Sequence, residues 1–90
     1  MANQSKKNML KKIYGKRCML CGERKSHKEL TFHHIKPKSH GGDNTLENGA
    51  LVCEKCQCKI HKYDFLSSQY FDFTLIIINN KIKFIKEKGV

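Results

Sequence analysis

The chain has 90 residues, enough for one small domain but too few for a core that is stable without a further cross-link or metal. Eighteen lysines and arginines against eight acidic residues give a formal charge of +10, which favours a polyanionic partner, although a solvated lysine-rich face would explain it equally well. Neither a signal peptide nor a membrane-spanning stretch is recognisable, so we expect a cytoplasmic protein with no membrane partner.

The N-terminal segment predicts a short amphipathic helix. Apolar residues recur at helical spacing at Met9, Leu10, Ile13 and Tyr14, and Gly15 is placed to end the helix. The polar positions are basic, and no acidic residue occurs before Glu23. This face could lie along phosphates, but packing of the apolar stripe on the domain explains the pattern as well, so we interpret the helix as scaffold.

The middle of the chain predicts a strand hairpin followed by a helix. Residues 29–35 form the first predicted strand, which Pro37 stops, and residues 50–52 form the second. Turn residues fill 39–44 between them, and Asn44 or Thr45 could cap a short helical turn through Asn48.

The predicted helix runs from the second cysteine pair to about Ser67. Its inward face would carry Ile60, Tyr63 and either Phe65 or Leu66.

The C-terminal segment predicts a β-hairpin at about 71–86. Two apolar runs, 71–78 and 81–85, flank Asn79 and Asn80, which tolerate the backbone of a two-residue turn. The stretch 75–78 is apolar on both faces, so it must pack on the domain or meet another chain. A protein partner or a homodimer through this hairpin is therefore a further expectation.

Four cysteines are spaced as zinc ligands. Cys18 and Cys21 form one C-x-x-C turn and Cys53 and Cys56 form another, and two such pairs can close one tetrahedral site. Disulfides are disfavoured in a reducing compartment, and five cysteines would leave one unpaired. We predict a structural four-cysteine zinc site that pins both ends of a folded insertion, with Cys58 as a spare thiol.

The polar groups within that insertion carry a resemblance to a known family. Their order is an adjacent histidine pair on a strand, an asparagine after paired glycines, and a histidine on the following helix: His33, His34, Asn48 and His61. The stretch FHHIKPKSHGGDNTLENGALVCEKCQCKIH resembles the core of the HNH, or His-Me finger, endonucleases. With Cys18 and Cys21 the resemblance covers about half of the chain.

The resemblance implies a small α+β fold. Its core, at about 16–66, would be a ββα-metal motif with a four-cysteine zinc knuckle, to which the N-terminal helix and the C-terminal hairpin are added. We expect a single domain over residues 1–90.

The resemblance also implies metal-dependent hydrolysis of phosphodiester bonds, with DNA as the expected substrate and RNA as the alternative. Neighbouring strand residues point to opposite faces, so one histidine can bind metal while the next faces the attacking water. By resemblance His33 and His61 bind a divalent metal, His34 is the general base, and Asn48 holds the base or its loop.

One position departs from the family pattern. Gln57 stands where some members carry a second helix histidine, and it is a weaker candidate ligand. Because glutamine is a weak neutral ligand, Mg²⁺ or Mn²⁺ is favoured for catalysis, with Zn²⁺ or Ni²⁺ as alternatives.

The remaining candidates have less specific signals. Candidate phosphate contacts flank the core at Lys36, Lys38, Lys55, Lys59 and Lys62. His27 and His40 match no family position, and His40 is expected in the substrate-facing loop or in solvent. The alternative function is a non-catalytic, zinc-containing nucleic-acid-binding or assembly module of the same fold. Cleavage of one strand or of both is left open.

Overall fold

A computed structural model describes residues 2–88 of the protein, with side chains described for residues 5–87. The fold is α+β, as predicted, with a two-stranded sheet and three helices. In chain order the elements are α1 (Ala2–Tyr14), β1 (Leu30–His34), β2 (Gly49–Cys53), α2 (Glu54–His61) and α3 (Ser68–Lys88). Single 3₁₀ turns occur at His27–Glu29 and Lys38–His40.

Strands β1 and β2 form an antiparallel hairpin that leads directly into α2. The register pairs His33 with Ala50 and His34 with Gly49, so both histidines lie at the end of the hairpin that the connecting segment 35–48 closes. Every residue of β2 is buried, whereas in β1 only Leu30 and His33 are buried and the other three residues are partly exposed. The predicted ββα core is therefore present.

Helix α1 packs on both strands and on α3, as expected for a scaffold helix. Leu10 is fully buried in the core, while Met9 and Ile13 remain partly exposed. Gly15 follows the helix with a φ of 88°, a left-handed conformation that suits glycine, and its N–H closes the last turn on the Lys11 carbonyl at 2.8 Å.

The prediction of a C-terminal hairpin at 71–86 is wrong, because the segment is the 21-residue helix α3. Its buried positions recur every three or four residues and are Tyr70, Phe73, Ile77, Lys81 and Phe84. A strand turns every second residue to one face and could not bury this set together. Packing at helical period has overridden the β propensity of the isoleucine run.

Two polar side chains explain why Asn79 and Asn80 do not form a turn. The Asn80 amide donates to the Met19 carbonyl at 2.6 Å. The Lys81 ammonium donates to the carbonyls of Leu46, Glu47 and Gly49 at 3.2, 3.2 and 2.9 Å. Burial lowers the pKa of Lys81, and the nearby Glu47 charge opposes that effect. The Lys81 bonds satisfy carbonyls of the turn before β2 and of its first residue, and together with the Asn80 bond they fix α3 against the rest of the domain.

Two smaller predictions also need correction. Helix α2 ends at His61 instead of continuing to Ser67, and Tyr63 is exposed rather than inward-facing. Of the two alternatives that follow it, Phe65 packs against the core and Leu66 is exposed. The segment between Thr45 and Asn48 is a turn without helix, closed by the Asn48 N–H on the Thr45 carbonyl at 3.2 Å. Among the helices of residues 2–88, none has the length and apolarity to cross a membrane.

Candidate functional site

The four predicted zinc ligands come together at one point of the fold. The sulfurs of Cys18, Cys21, Cys53 and Cys56 all lie within 4.8 Å of one another. The first pair lies on the turn after α1 and the second at the junction of β2 and α2, so one ion would link both ends of the insertion. The set is positioned to hold a zinc ion, because four thiolates at this separation match tetrahedral coordination.

The backbone around Cys18 is arranged for a thiolate. The N–H groups of Leu20, Cys21 and Cys53 donate to its sulfur at 3.4, 3.4 and 3.3 Å. Burial raises the pKa of Cys18, but these donors outweigh burial and lower the pKa to about 7. Gly22 closes the turn with a φ of 79°, and its N–H donates to the Cys18 carbonyl at 2.9 Å. The turn is thus prepared for a metal-bound sulfur.

A second cluster lies in a cleft of about 390 Å³ between the hairpin, α2 and the start of α3. His33, Gln57 and His61 all line this cleft, and the rings of His33 and His61 are 6.3 Å apart between centroids. Gln57 and His61 share a helix face because they are four residues apart. The predicted convergence of these residues is present in the structure.

His33 is buried with an unused nitrogen. Only 3% of it is exposed, and neither its Nε2 nor the buried Gln57 Oε1 has a hydrogen-bond partner among the described residues. Burial, followed by the neighbouring His61 and His34, lowers the pKa of His33 to about 4, and Gln57 opposes the shift. The imidazole is therefore neutral at physiological pH, with a lone pair available for a metal. Buried polar atoms without partners fit a cation site.

His34, the next residue of β1, also lines the cleft and has a partner that the sequence did not predict. Its Nε2 lies 2.7 Å from the Asn44 Oδ1, and its ring packs edge-on against Phe32 at 5.0 Å. An amide oxygen can only accept, so this contact places the imidazole proton on Nε2 and leaves Nδ1 as the free acceptor. Asn44 thereby selects the tautomer of His34.

Replacing Asn44 with Ala should remove the preference of the His34 ring for the Nε2-protonated tautomer. We expect the ¹⁵N resonances of the His34 ring to move from a predominantly Nε2-protonated pattern towards a mixture of tautomers, because the fixed acceptor is gone. Ring-nitrogen NMR at a pH where His34 is neutral checks this, with the exposed Asn8→Ala as control. An unchanged ring spectrum would mean that Asn44 does not set the tautomer.

Asn48 contacts the loop that follows β1 rather than the His34 ring. Its Oδ1 accepts from the Lys36 N–H at 2.8 Å, and its amide donates to the carbonyls of Lys36 and Asp43 at 3.0 and 2.9 Å. At Gly42 a Cβ atom would collide with the Lys36 carbonyl, so only glycine allows this close return of the loop. Asn48 therefore fixes the loop that carries Asn44.

Tyr70 of α3 contacts the chain where β1 ends. Its hydroxyl donates to the Ile35 carbonyl at 3.0 Å, and its ring lies 6.3 Å from that of His33. This role depends on α3 being a helix, and no local signal in the sequence indicated it. The sequence indicates Asn44 only as a candidate helix cap, because turn residues of its type suit many roles.

Some of the candidate basic residues line the cleft and others lie outside it. Lys38 and His40 line the cleft, and the His40 ring packs on Phe65 at 4.9 Å between centroids. The other candidate phosphate contacts are exposed outside the cleft lining: Lys36, Lys55, Lys59 and Lys62. The cleft wall thus carries one lysine beside the histidines.

Comparison with known proteins gives one family. The HNH endonuclease family model matches residues 18–63, a span that begins at the first zinc-ligand cysteine and includes the histidine pair, Asn48 and His61. No solved structure matches the chain significantly.

Two relatives match at the level of sequence. A protein of Acanthamoeba polyphaga mimivirus named as a DNA mismatch repair mutS homolog is 32% identical over 85 residues, which cover 78% of this chain and 8% of that protein. Anaredoxin of Nostoc sp. (strain PCC 7120) is 34% identical over 53 residues, which cover 59% of this chain and 67% of that protein. The chain thus corresponds to a small part of the mimivirus protein and to about two thirds of the cyanobacterial one.

Proposed function

Because the chain belongs to the HNH endonuclease family, we propose that it hydrolyses phosphodiester bonds of DNA with one divalent cation and with His34 as general base. The supporting observation is that His33 of β1 and Gln57 and His61 of α2 line one cleft. His34 follows His33 at the end of β1 and lines the same cleft. The buried, partnerless Nε2 of His33 supports a ligand role for that residue.

The donor set fits a weakly held hard cation better than a tightly held zinc. Two imidazoles and one amide oxygen leave room for water and phosphate oxygens, which Mg²⁺ and Mn²⁺ prefer, while Zn²⁺ and Ni²⁺ favour further imidazoles. When bound, the cation would supply positive charge beside the scissile phosphate and the departing oxygen.

The chain's own residues would supply the general base and hold its ring in position. The Nδ1 of His34 is left as the free acceptor, so this atom takes the proton of the attacking water in our proposal. Asn44 holds the ring in that tautomer, and Asn48 holds the loop that carries Asn44. A histidine suits this task because its ordinary pKa is near neutrality.

DNA is the proposed substrate on three grounds. Members of the family act on nucleic acids, the formal charge is +10, and the mimivirus relative is named for DNA mismatch repair. Lys38 lines the cleft and is the most direct candidate for a phosphate contact. The exposed Lys36, Lys55, Lys59 and Lys62 would extend that contact along the backbone.

Cleavage of supercoiled plasmid tests the proposal. Purified zinc-loaded protein should nick or linearise plasmid with Mg²⁺ or Mn²⁺, and EDTA should stop the reaction. His61→Ala should lower the rate and raise the metal concentration required, because it removes one proposed ligand. A wild-type protein that binds DNA but does not cut it with Mg²⁺, Mn²⁺, Zn²⁺ or Ni²⁺ would identify a non-catalytic module.

The metal preference should respond to position 57. Gln57→His adds a third imidazole to the proposed metal ligands His33 and His61, so we expect activity to shift from Mg²⁺ towards Zn²⁺ or Ni²⁺. Cleavage rates across a metal series check this, and Gln57→Ala controls for simple loss of the amide. A profile identical to wild type would mean that position 57 does not face the metal.

A further inference from the structure

Helix α3 has a second apolar face that does not contact the core. Its residues are 41–59% exposed and are Phe71, Leu75, Ile78, Ile82 and Ile85. Their spacing alternates between four and three residues, which is the pattern of a coiled-coil seam. We call this set the outer stripe. Within the part of the chain that the structure describes, no other element covers it.

We propose that the outer stripe pairs with the same stripe of a second copy of the chain, in an antiparallel helix pair. The charges beside the stripe support this orientation. Asp72 and Lys86 lie on one flank of the stripe, seven residues before and seven residues after Asn79. In an antiparallel pair with its two-fold axis near Asn79, the same flanks face each other, so each Asp72 lies beside the partner's Lys86.

A parallel pair does not gain these contacts. It would direct Lys86 towards the position of the partner's Lys81, which offers no acidic group for an ion pair. Lys81 is moreover buried, and its ammonium already donates to three carbonyls of its own chain. The stripe and its flank are therefore complementary to a second copy running in the opposite direction.

The size of the stripe sets the expected affinity. Five half-exposed large side chains offer about 400 Å² per chain, or about 800 Å² in total, which is less than stable specific interfaces bury and fits a weak, transient pair. The formal charge of +10 on each copy also opposes association. We expect dimers in the micromolar range, with exchange between monomer and dimer.

Sedimentation equilibrium of the full zinc-loaded chain measures the dimer directly. Wild type should reach the mass of two 10.5 kDa chains at micromolar concentration. Ile82→Glu should raise the dissociation constant by at least about tenfold, because it places a charge in the stripe. Ile76→Glu is the matched control, since Ile76 is 42% exposed but lies about 100° round the helix from Leu75.

Charge exchange tests the orientation without altering the apolar contacts. Asp72→Lys should weaken the dimer several-fold, and the double change Asp72→Lys with Lys86→Asp should restore it. A wild type that stays monomeric up to about 100 µM, or equal effects of Ile76→Glu and Ile82→Glu, would overturn the proposal. Failure of the exchange to restore association would overturn the antiparallel pairing. Mass is the readout, so the result does not depend on whether the protein cuts DNA.

Discussion

Substitution of His34 by Ala should reduce the rate of plasmid cleavage by about 10²–10⁴-fold, the usual contribution of a general base. The protein should still fold, because His34 is only partly buried and lies at the end of β1, next to the connecting loop. DNA binding should be retained, since the lysines that would contact phosphates are unchanged. Single-turnover cleavage and a DNA-binding titration, at the same metal concentration, measure the two properties separately.

His40→Ala is the matched control for that experiment. His40 lines the same cleft but lies on the loop after Pro37 and packs on Phe65. Its loss should change the rate by less than about tenfold, the range of a substrate contact. If His34→Ala cleaves as fast as wild type, or if both variants lose activity equally, His34 is not the base.

The ligand groups were predictable from the sequence because their chemistry demands particular residues at particular spacings. Two sulfurs in a C-x-x-C turn face one point, and residues 57 and 61 share a helix face whatever surrounds them. The structure brings the four sulfurs together and places the rings of His33 and His61 6.3 Å apart. Their catalytic roles remain proposals.

The partner of His34 was not predictable in the same way. Composition does not distinguish among the turn residues between the strands as partners of His34, and the choice of Asn44 depends on how the loop folds back. That path is decided by the close approach of Gly42 to the Lys36 carbonyl and by the three bonds of Asn48. Such contacts are tertiary and leave no periodic pattern.

The error at the C-terminus has a definite physical cause. A run of isoleucines followed by two asparagines has the local preferences of a hairpin. The helical period was hidden because Lys81 occupies an inner position between Ile77 and Phe84. Lysine is rarely buried, and it is accepted here because the carbonyls of Leu46, Glu47 and Gly49 accept hydrogen bonds from its ammonium.

Loss of the zinc site should have the largest effect on stability. Cys53→Ser, or removal of zinc by a chelator, should leave the chain largely unfolded at 25 °C. Zinc binding by four thiolates supplies about 10–16 kcal/mol in small zinc domains, which equals or exceeds the whole stability of a typical domain. Cys53 ends β2, and its N–H also donates to the Cys18 sulfur at 3.3 Å, so its loss separates the hairpin from the knuckle.

Thermal unfolding by circular dichroism, together with elemental analysis for zinc, measures this effect. The matched control is Cys58→Ser, because Cys58 is exposed on α2 and lies outside the four-sulfur cluster. Its stability should stay within about 0.5 kcal/mol of wild type, with about one zinc per chain retained. A Cys53→Ser protein that loses its zinc but melts at the wild-type temperature would mean that the knuckle does not hold the fold. Protein purified gently without any zinc would contradict the four-cysteine site itself.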